Sequence, residues 1–328
     1  MSIEIEVDHM AVVSYVNAAG RLPLIQQIRL IDDSGKSYSG IQVEYEVSTL
    51  GASLSETHSI AFGQFAQRLE ISEPETKFDL TSLYQVTDQQ PGELRVRLVQ
   101  GEKVISEFKS DLQVLSVNSW VGESPMEQST KALAAFVQPQ HPSLNKVRKI
   151  AASIMESAGV EPNLSGYQGS ADHVRSMVKA CYEAMQSLDL TYINPPASWD
   201  LKGGGGDAQR IRGPEQVIEQ REGTCLDTTV VFAALLESVG VNPIVFLIPG
   251  HAFVGYWQKG QGQNVSLAIG PYFDIFEAQN LFDGPDKMIE VVETTTLCDK
   301  AIDYEKATGI ALAQMLSNKT GFDREGSG

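Results

Sequence analysis

Hydrophobic and polar residues alternate with a period of two through the first third of the chain. Ile41, Val43, Tyr45 and Val47 are interleaved with Gln42, Glu44 and Glu46, and Leu94, Val96 and Leu98 with Arg95 and Arg97, so each run predicts a strand with one buried face. Leu24 to Ile31, Gln67 to Ile71 and Val104 to Leu115 predict further strands. Asp32-Asp33-Ser34-Gly35 and Gln89-Gln90-Pro91-Gly92 carry turn chemistry between the runs. Short strands at this spacing point to an immunoglobulin-like β-sandwich over residues 1–118. Its two histidines, His9 and His58, have no Cys or second His at ligand spacing and read as surface or turn residues.

Near Trp120 the period becomes helical. Ser143 to Ala158 sets Leu144, Val147, Ile150, Ala151 and Ile154 on one face, and Ser170 to Leu188 does the same with Val174, Met177, Val178, Cys181 and Met185. Cys181 on that stripe reads as a small buried hydrophobe. Pro195-Pro196 closes the helical region, and Gly203 to Gly206 marks a flexible loop that lacks the Lys-Ser/Thr of a phosphate loop. Residues 119–200 are thus expected to form a helical connector and the first part of a second domain, 201–318 its core and 319–328 a linker-like tail. The fold class is α+β.

Composition narrows the function. A length of 328 residues suits two domains, and 42% apolar with 20% charged residues is globular. The net charge is −17, and both halves are acidic: 9 basic and 17 acidic side chains in residues 1–120, 16 and 25 in 121–328. Such a chain repels polyanions, so direct nucleic-acid binding is not expected. Cys181, Cys225 and Cys298 are odd in number and form no C-x-x-C pair, which disfavours both a disulfide framework and a zinc ribbon. The acidic N-terminus is unlike a signal peptide, and the apolar run Val230 to Leu236 is far short of a membrane span of ~20 residues. The expectation is a cytoplasmic protein with no membrane association, no metal and no cofactor.

One segment carries chemistry. In Gly223-Thr224-Cys225-Leu226-Asp227, Thr224 suits an N-cap and Asp227 the acidic member of a capping box, so a helix is predicted to begin at the cysteine. A helix N-terminus favours thiolate over thiol, one way to make a cysteine nucleophilic. The helix runs to Val239 with few polar positions and is predicted to be buried. A strand, Pro243 to Ile248, and a tight turn then lead to His251 at the start of a second strand. The 26 residues between Cys225 and His251 suffice for the chain to return beside its starting point. A thiol beside an imidazole is the ion pair used for acyl transfer.

This segment is similar to the core of the transglutaminase-like cysteine proteins, in which G-x-C-x-D opens a helix, H-A-[WF]-V opens a strand and an acidic residue follows on the next strand. Here these are Gly223-Thr224-Cys225-Leu226-Asp227 and His251-Ala252-Phe253-Val254. Trp120-Val121-Gly122, Ala135-Phe136-Val137-Gln138-Pro139 and Pro195-Pro196-Ala197-Ser198 resemble more closely the transglutaminase-like unit near the N-terminus of large bacterial proteins with helicase and nuclease-like regions. The resemblance covers about residues 115–315 and implies a papain-like fold, with helices packed on an antiparallel sheet.

The resemblance also implies a third member that orients the histidine. Glu293, in a predicted strand ending Glu293-Thr294-Thr295, is the first choice, and Asp274, only 23 residues after His251, is the rival. For the oxyanion hole the Cys225 N–H is the natural donor, with Trp199 or Gln209 as a second by analogy, although Trp199 reads more readily as a packing residue. The function so implied is a cysteine peptidase or amidase acting on peptide or isopeptide bonds of a protein or peptide substrate. The alternative is a non-catalytic recognition module within a larger bacterial defence or nucleic-acid-processing assembly, its partners being further domains or subunits.

Overall fold

The computed structural model describes residues 3–121, 132–194, 208–248, 250–259 and 287–317. The predicted loop at Gly203 to Gly206 and the tail 319–328 lie outside them. The fold is mixed α and β, and the contacts divide the chain into two units, 1–133 with 197–210 and 134–196 with 211–328.

Among the described residues the first unit contains two larger sheets and a two-stranded one. One has the order β1 (Glu4–His9), β3 (Ile25–Ile31), β7 (Arg68–Ser72), all antiparallel. The other runs β2 (Val12–Val13), β9 (Lys103–Val114), β8 (Gln90–Gln100), β4 (Ser37–Thr49), β5 (Ala52–Ser53), with β6 (His58–Ala66) also pairing β4. The alternation works as the sequence implies: Ile41, Val43, Val47, Leu94, Val96 and Leu98 are wholly buried in one cluster with Ile25, Ile28 and Leu30 of the other sheet. On the opposite face, Arg97 pairs with Glu44 at 3.2 Å and Arg95 with Glu46 at 3.5 Å across adjacent strands. Neither histidine of this unit belongs to a cluster of ligands. His9 Nδ1 bonds the Met10 carbonyl at 2.8 Å, and His58 stacks on Tyr45 while its Nε2 accepts from the Lys77 N–H at 2.9 Å.

Three details differ from the pattern reading. Gln90-Pro91-Gly92 is not a turn but the start of β8: Pro91 stands opposite Gln113, the Thr49 hydroxyl donates to its carbonyl at 2.6 Å, and a Cβ on Gly92 would lie 2.8 Å from Val114 Cγ2. Glycine there permits close strand approach and not a reversal. Two five-residue helices, α1 (Tyr15–Ala19) and α2 (Leu80–Tyr84), capped by Ser14 and Asp79, are too short to show a helical period. Finally, β10 (Ser119–Val121) pairs with β12 (Ala208–Arg210), and by their contacts both fall in the first unit. A strand partner almost ninety residues away leaves no trace in a local period.

The second unit is built on α6 (Cys225–Ser238), whose residues 225–236 are all buried. A helix apolar on every side has no solvent face, and here helices and strands surround it. It packs against β14 (Pro243–Ile248) and β15 (His251–Trp257), which with β16 (Ile289–Val292) form an antiparallel sheet of order β14-β15-β16. On its other sides lie α3 (Leu144–Ser157), α4 (Ala171–Gln186) and α5 (Pro214–Gln220); α7 (Tyr304–Ser317) covers β16. Val147, Ala151, Val174, Met177, Val178, Cys181 and Met185 enter the common core, along the predicted stripes.

A buried carboxylate ties this unit together. Glu290 of β16 is 4% exposed, accepts from the Tyr304 hydroxyl at 2.9 Å and from Lys287 Nζ at 3.1 Å, also bonds the Tyr256 hydroxyl, and lies 3.2 Å from Arg175 of α4. Burial alone would push its carboxyl up, but these donors and the two cations hold it below the ordinary value. The strands that carry the chemistry described next are thereby fixed to α4 and α7.

Candidate active site

The site starts from a helix cap. Thr224 Oγ1 accepts from the Asp227 N–H at 3.2 Å while Asp227 Oδ2 accepts from the Thr224 N–H at 2.9 Å, a complete capping box. Asp227 is wholly buried and does more than cap: its Oδ1 accepts the Arg212 N–H at 2.7 Å and its Oδ2 meets the Arg212 guanidinium at 3.2 Å. Cys225 is the first residue of α6, 8% exposed, and an amide in that position has no intrahelical acceptor.

The β14–β15 hairpin aims the histidine. Ile248 stands opposite His251, and Gly250 between them has φ of +72°, a conformation that glycine takes at no steric cost. His251 Nε2 lies 2.8 Å from Glu293 Oε2, and the ring also lies beside Cys225; with Nε2 engaged, Nδ1 is the nitrogen left for the sulfur. Cys225, and then the bond to Glu293, push His251 up from 6.5 to about 10.

Glu293 follows β16 directly and is 1% exposed. Burial pushes its carboxyl up, yet the His251 bond and two bonds from Thr295, the hydroxyl at 2.6 Å and the N–H at 2.9 Å, bring it below the ordinary value. Its segment is clamped from two helices. Thr294 and Thr229 of α6 share a buried hydroxyl pair at 2.8 Å; Tyr182 of α4 donates to Thr296 Oγ1 at 2.9 Å, and Thr296 donates to the Glu293 carbonyl. Gln186 of α4 donates to the Asp299 carbonyl at 2.7 Å.

A further group reaches the thiol. β11 (Thr191–Tyr192) pairs in parallel with β13 (Glu222–Gly223), with Thr191 N–H on the Arg221 carbonyl at 2.8 Å and Ile193 N–H on the Gly223 carbonyl at 3.0 Å. The register sets Tyr192 opposite Gly223, two residues before the cysteine, and the phenol lies beside Cys225. Arg221, with φ of +58°, turns the end of α5 into β13. The other thiols lack such company: burial pushes Cys181 up to about 12 and Cys298 up to about 11.

The structure therefore brings Cys225, His251 and Glu293 together, with Thr224 and Asp227 at the helix cap. Gln209 belongs to β12 of the first unit, and Trp199 and Asp274 lie outside the described residues. Sequence reasoning missed Tyr192, Arg212 and Thr295. The run Thr191-Tyr192-Ile193 before Asn194-Pro195 is a faint strand signal, whereas nothing local marks Arg212 as the partner of Asp227. Among the described residues no group of three or more His, Cys, Asp or Glu is disposed to hold a metal ion, and no helix is long and apolar enough to cross a membrane.

No family model matches this chain, and no curated protein matches it. Among solved structures, a Bacteroides fragilis "putative beta-galactosidase" is similar at 16% identity over 34% of this chain and 16% of that one, with a TM-score of 0.17. A family 76 glycoside hydrolase from a bovine Bacteroides thetaiotaomicron strain is similar at 9% identity over 58% of this chain and 40% of that one, again with a TM-score of 0.17. The chain thus spans well under half the length of either neighbour. At such scores neither likeness bears on fold or function.

Proposed function

We propose that this chain is a transglutaminase-like cysteine acyl-transfer enzyme, a peptidase or amidase that cleaves peptide or isopeptide amides. In this reading the first unit is an immunoglobulin-like sandwich and the second a papain-like catalytic domain. The observation that carries it is the 2.8 Å bond from His251 Nε2 to the buried Glu293 carboxylate, with the other side of the ring beside the Cys225 sulfur at a helix N-terminus. A structural cysteine and a surface histidine need no buried carboxylate on the far ring nitrogen.

The chemistry follows from these positions. The sulfur attacks the amide carbonyl, forming a C–S bond as the carbonyl pair moves to oxygen; collapse breaks the C–N bond, and the amine leaves with the proton from His251 Nδ1. Water then attacks the thioester, Nδ1 takes its proton, and the thiolate departs. Glu293 stays ionised throughout, fixing the ring and stabilising the imidazolium. A hydroxyl-rich, clamped segment suits that duty because it prevents the carboxylate from following the moving proton.

The test is turnover of a fluorogenic peptide and isopeptide amide panel by the wild type, Cys225→Ala and His251→Ala. Cleavage lost in both variants, with melting unchanged, is the expected result. No cleavage, with no thioester on Cys225, would leave the site as a recognition surface.

A further inference from the structure

Tyr192 occupies a position that the triad does not explain. Its backbone is locked opposite Gly223 by the parallel pairing of β11 with β13, the residue is 41% exposed, and its hydroxyl lies beside the Cys225 sulfur. Burial, then the adjacent Cys225, push the phenol up, so it remains a donor at neutral pH. It is not buried enough to be a packing residue, and a strand of two residues, Thr191–Tyr192, adds little to a sheet.

When the sulfur attacks a carbonyl, the oxygen that becomes negative lies one bond beyond the carbon attached to sulfur. A donor already beside that sulfur needs only a small rotation to meet this oxygen. The Cys225 N–H, as the first amide of its helix, has no intrahelical acceptor and is the companion donor. His251 is committed to the leaving group, and Glu293 faces the other side of the ring. Resting on the triad reading above, we infer that Tyr192 is a catalytic residue of the oxyanion hole. Its hydroxyl donates to the sulfur at rest and to the tetrahedral oxyanion during acylation and deacylation. The phenol keeps its proton at every stage: the negative charge arises from the carbonyl pair and returns to the carbon when the amine, and later the thiolate, departs.

This role separates two reactions of one thiol. Alkylation by iodoacetamide displaces iodide and forms no oxyanion, whereas acylation by p-nitrophenyl acetate does. Removing one oxyanion donor costs about 10²–10³-fold in rate. In Tyr192→Phe, acylation measured as a p-nitrophenol burst should fall about that much while alkylation of Cys225 changes at most a few-fold. Affinity for a peptide aldehyde, which forms a tetrahedral adduct, should fall in parallel. Equal changes in acylation and alkylation would overturn the inference and make Tyr192 a partner of the resting thiolate alone; unchanged acylation would also overturn it. A wild type that alkylates at Cys225 but is never acylated would overturn the triad reading, and the inference with it. A melt of Tyr192→Phe checks that the fold is intact.

Discussion

His251 Nε2 and Glu293 Oε2 stand 2.8 Å apart although 42 residues separate them in the chain. The pairing works because β15 and β16 are neighbours, with Val254 opposite Val292, so the residue that opens one strand meets the residue that follows the other. Glu293→Gln keeps the shape and a hydrogen-bonding group but removes the charge. By the precedent of triads with a neutralised acid, acylation should fall by as much as ~10⁴-fold with little change in melting. Asp274→Asn should leave the rate nearly unchanged. Initial rates for both variants check this; a larger loss in Asp274→Asn would shift the third role to that residue.

The three thiols should differ sharply in alkylation. Cys181 is wholly buried and pushed up to about 12, and Cys298 is pushed up to about 11, whereas Cys225 starts a helix with the His251 imidazole beside it. Brief iodoacetamide exposure followed by peptide mapping should find Cys225 modified first. Earlier modification of Cys298 in the folded protein would contradict the assignment.

The ring of His251 should stay charged well above the ordinary histidine range. With its folded value near 10 and its ordinary value 6.5, the group contributes stability that is fully present below about 6.5 and is lost as pH rises through about 10. Glu293 has the opposite sign: its value is lowered, so its contribution is present above the ordinary carboxylate range and is lost as pH falls through its folded value. Nitrogen-15 spectra should show an imidazolium at pH 8. In Cys225→Ala, which removes the first cause of the shift, the midpoint should move down toward 6.5. A neutral ring at pH 8 in the wild type would be inconsistent with the pair.

Asp227 should matter to folding more than a surface cap does. Replacing an exposed cap costs about 1 kcal/mol. Asp227 is wholly buried and also accepts from Arg212, so Asp227→Ala strands a cation and two backbone donors, at about 3–5 kcal/mol. Thr224→Ala should cost nearer 1 kcal/mol. Urea unfolding of the two variants gives the comparison, and equal losses would mean that the Arg212 contacts contribute nothing.

Much of the site was legible because its logic is local. The Thr224 and Asp227 cap, the apolar α6 and the strand at His251 each follow from a few adjacent residues, and the observed bounds Cys225–Ser238, Pro243–Ile248 and His251–Trp257 lie within a residue of the pattern. What escaped depends on remote pairing. Tyr192 comes beside the sulfur only because β11 lies along β13, Arg212 meets Asp227 from fifteen residues away in the chain, and β10 joins the first unit only through β12. The proline and glycine of Gln90-Pro91-Gly92 misled for a related reason: their turn preference was overridden by the close approach of β8 to β9 and β4.

The most direct measurement is mass spectrometry of the intact protein within seconds of mixing with p-nitrophenyl acetate, followed by peptide mapping. One acetyl group should appear on Cys225 of the wild type and disappear as the thioester hydrolyses, and its formation should be lost in Cys225→Ala and strongly slowed in His251→Ala. Acetylation confined to lysines, or a Cys225 adduct that forms as fast without His251, would contradict a catalytic Cys225–His251–Glu293 triad.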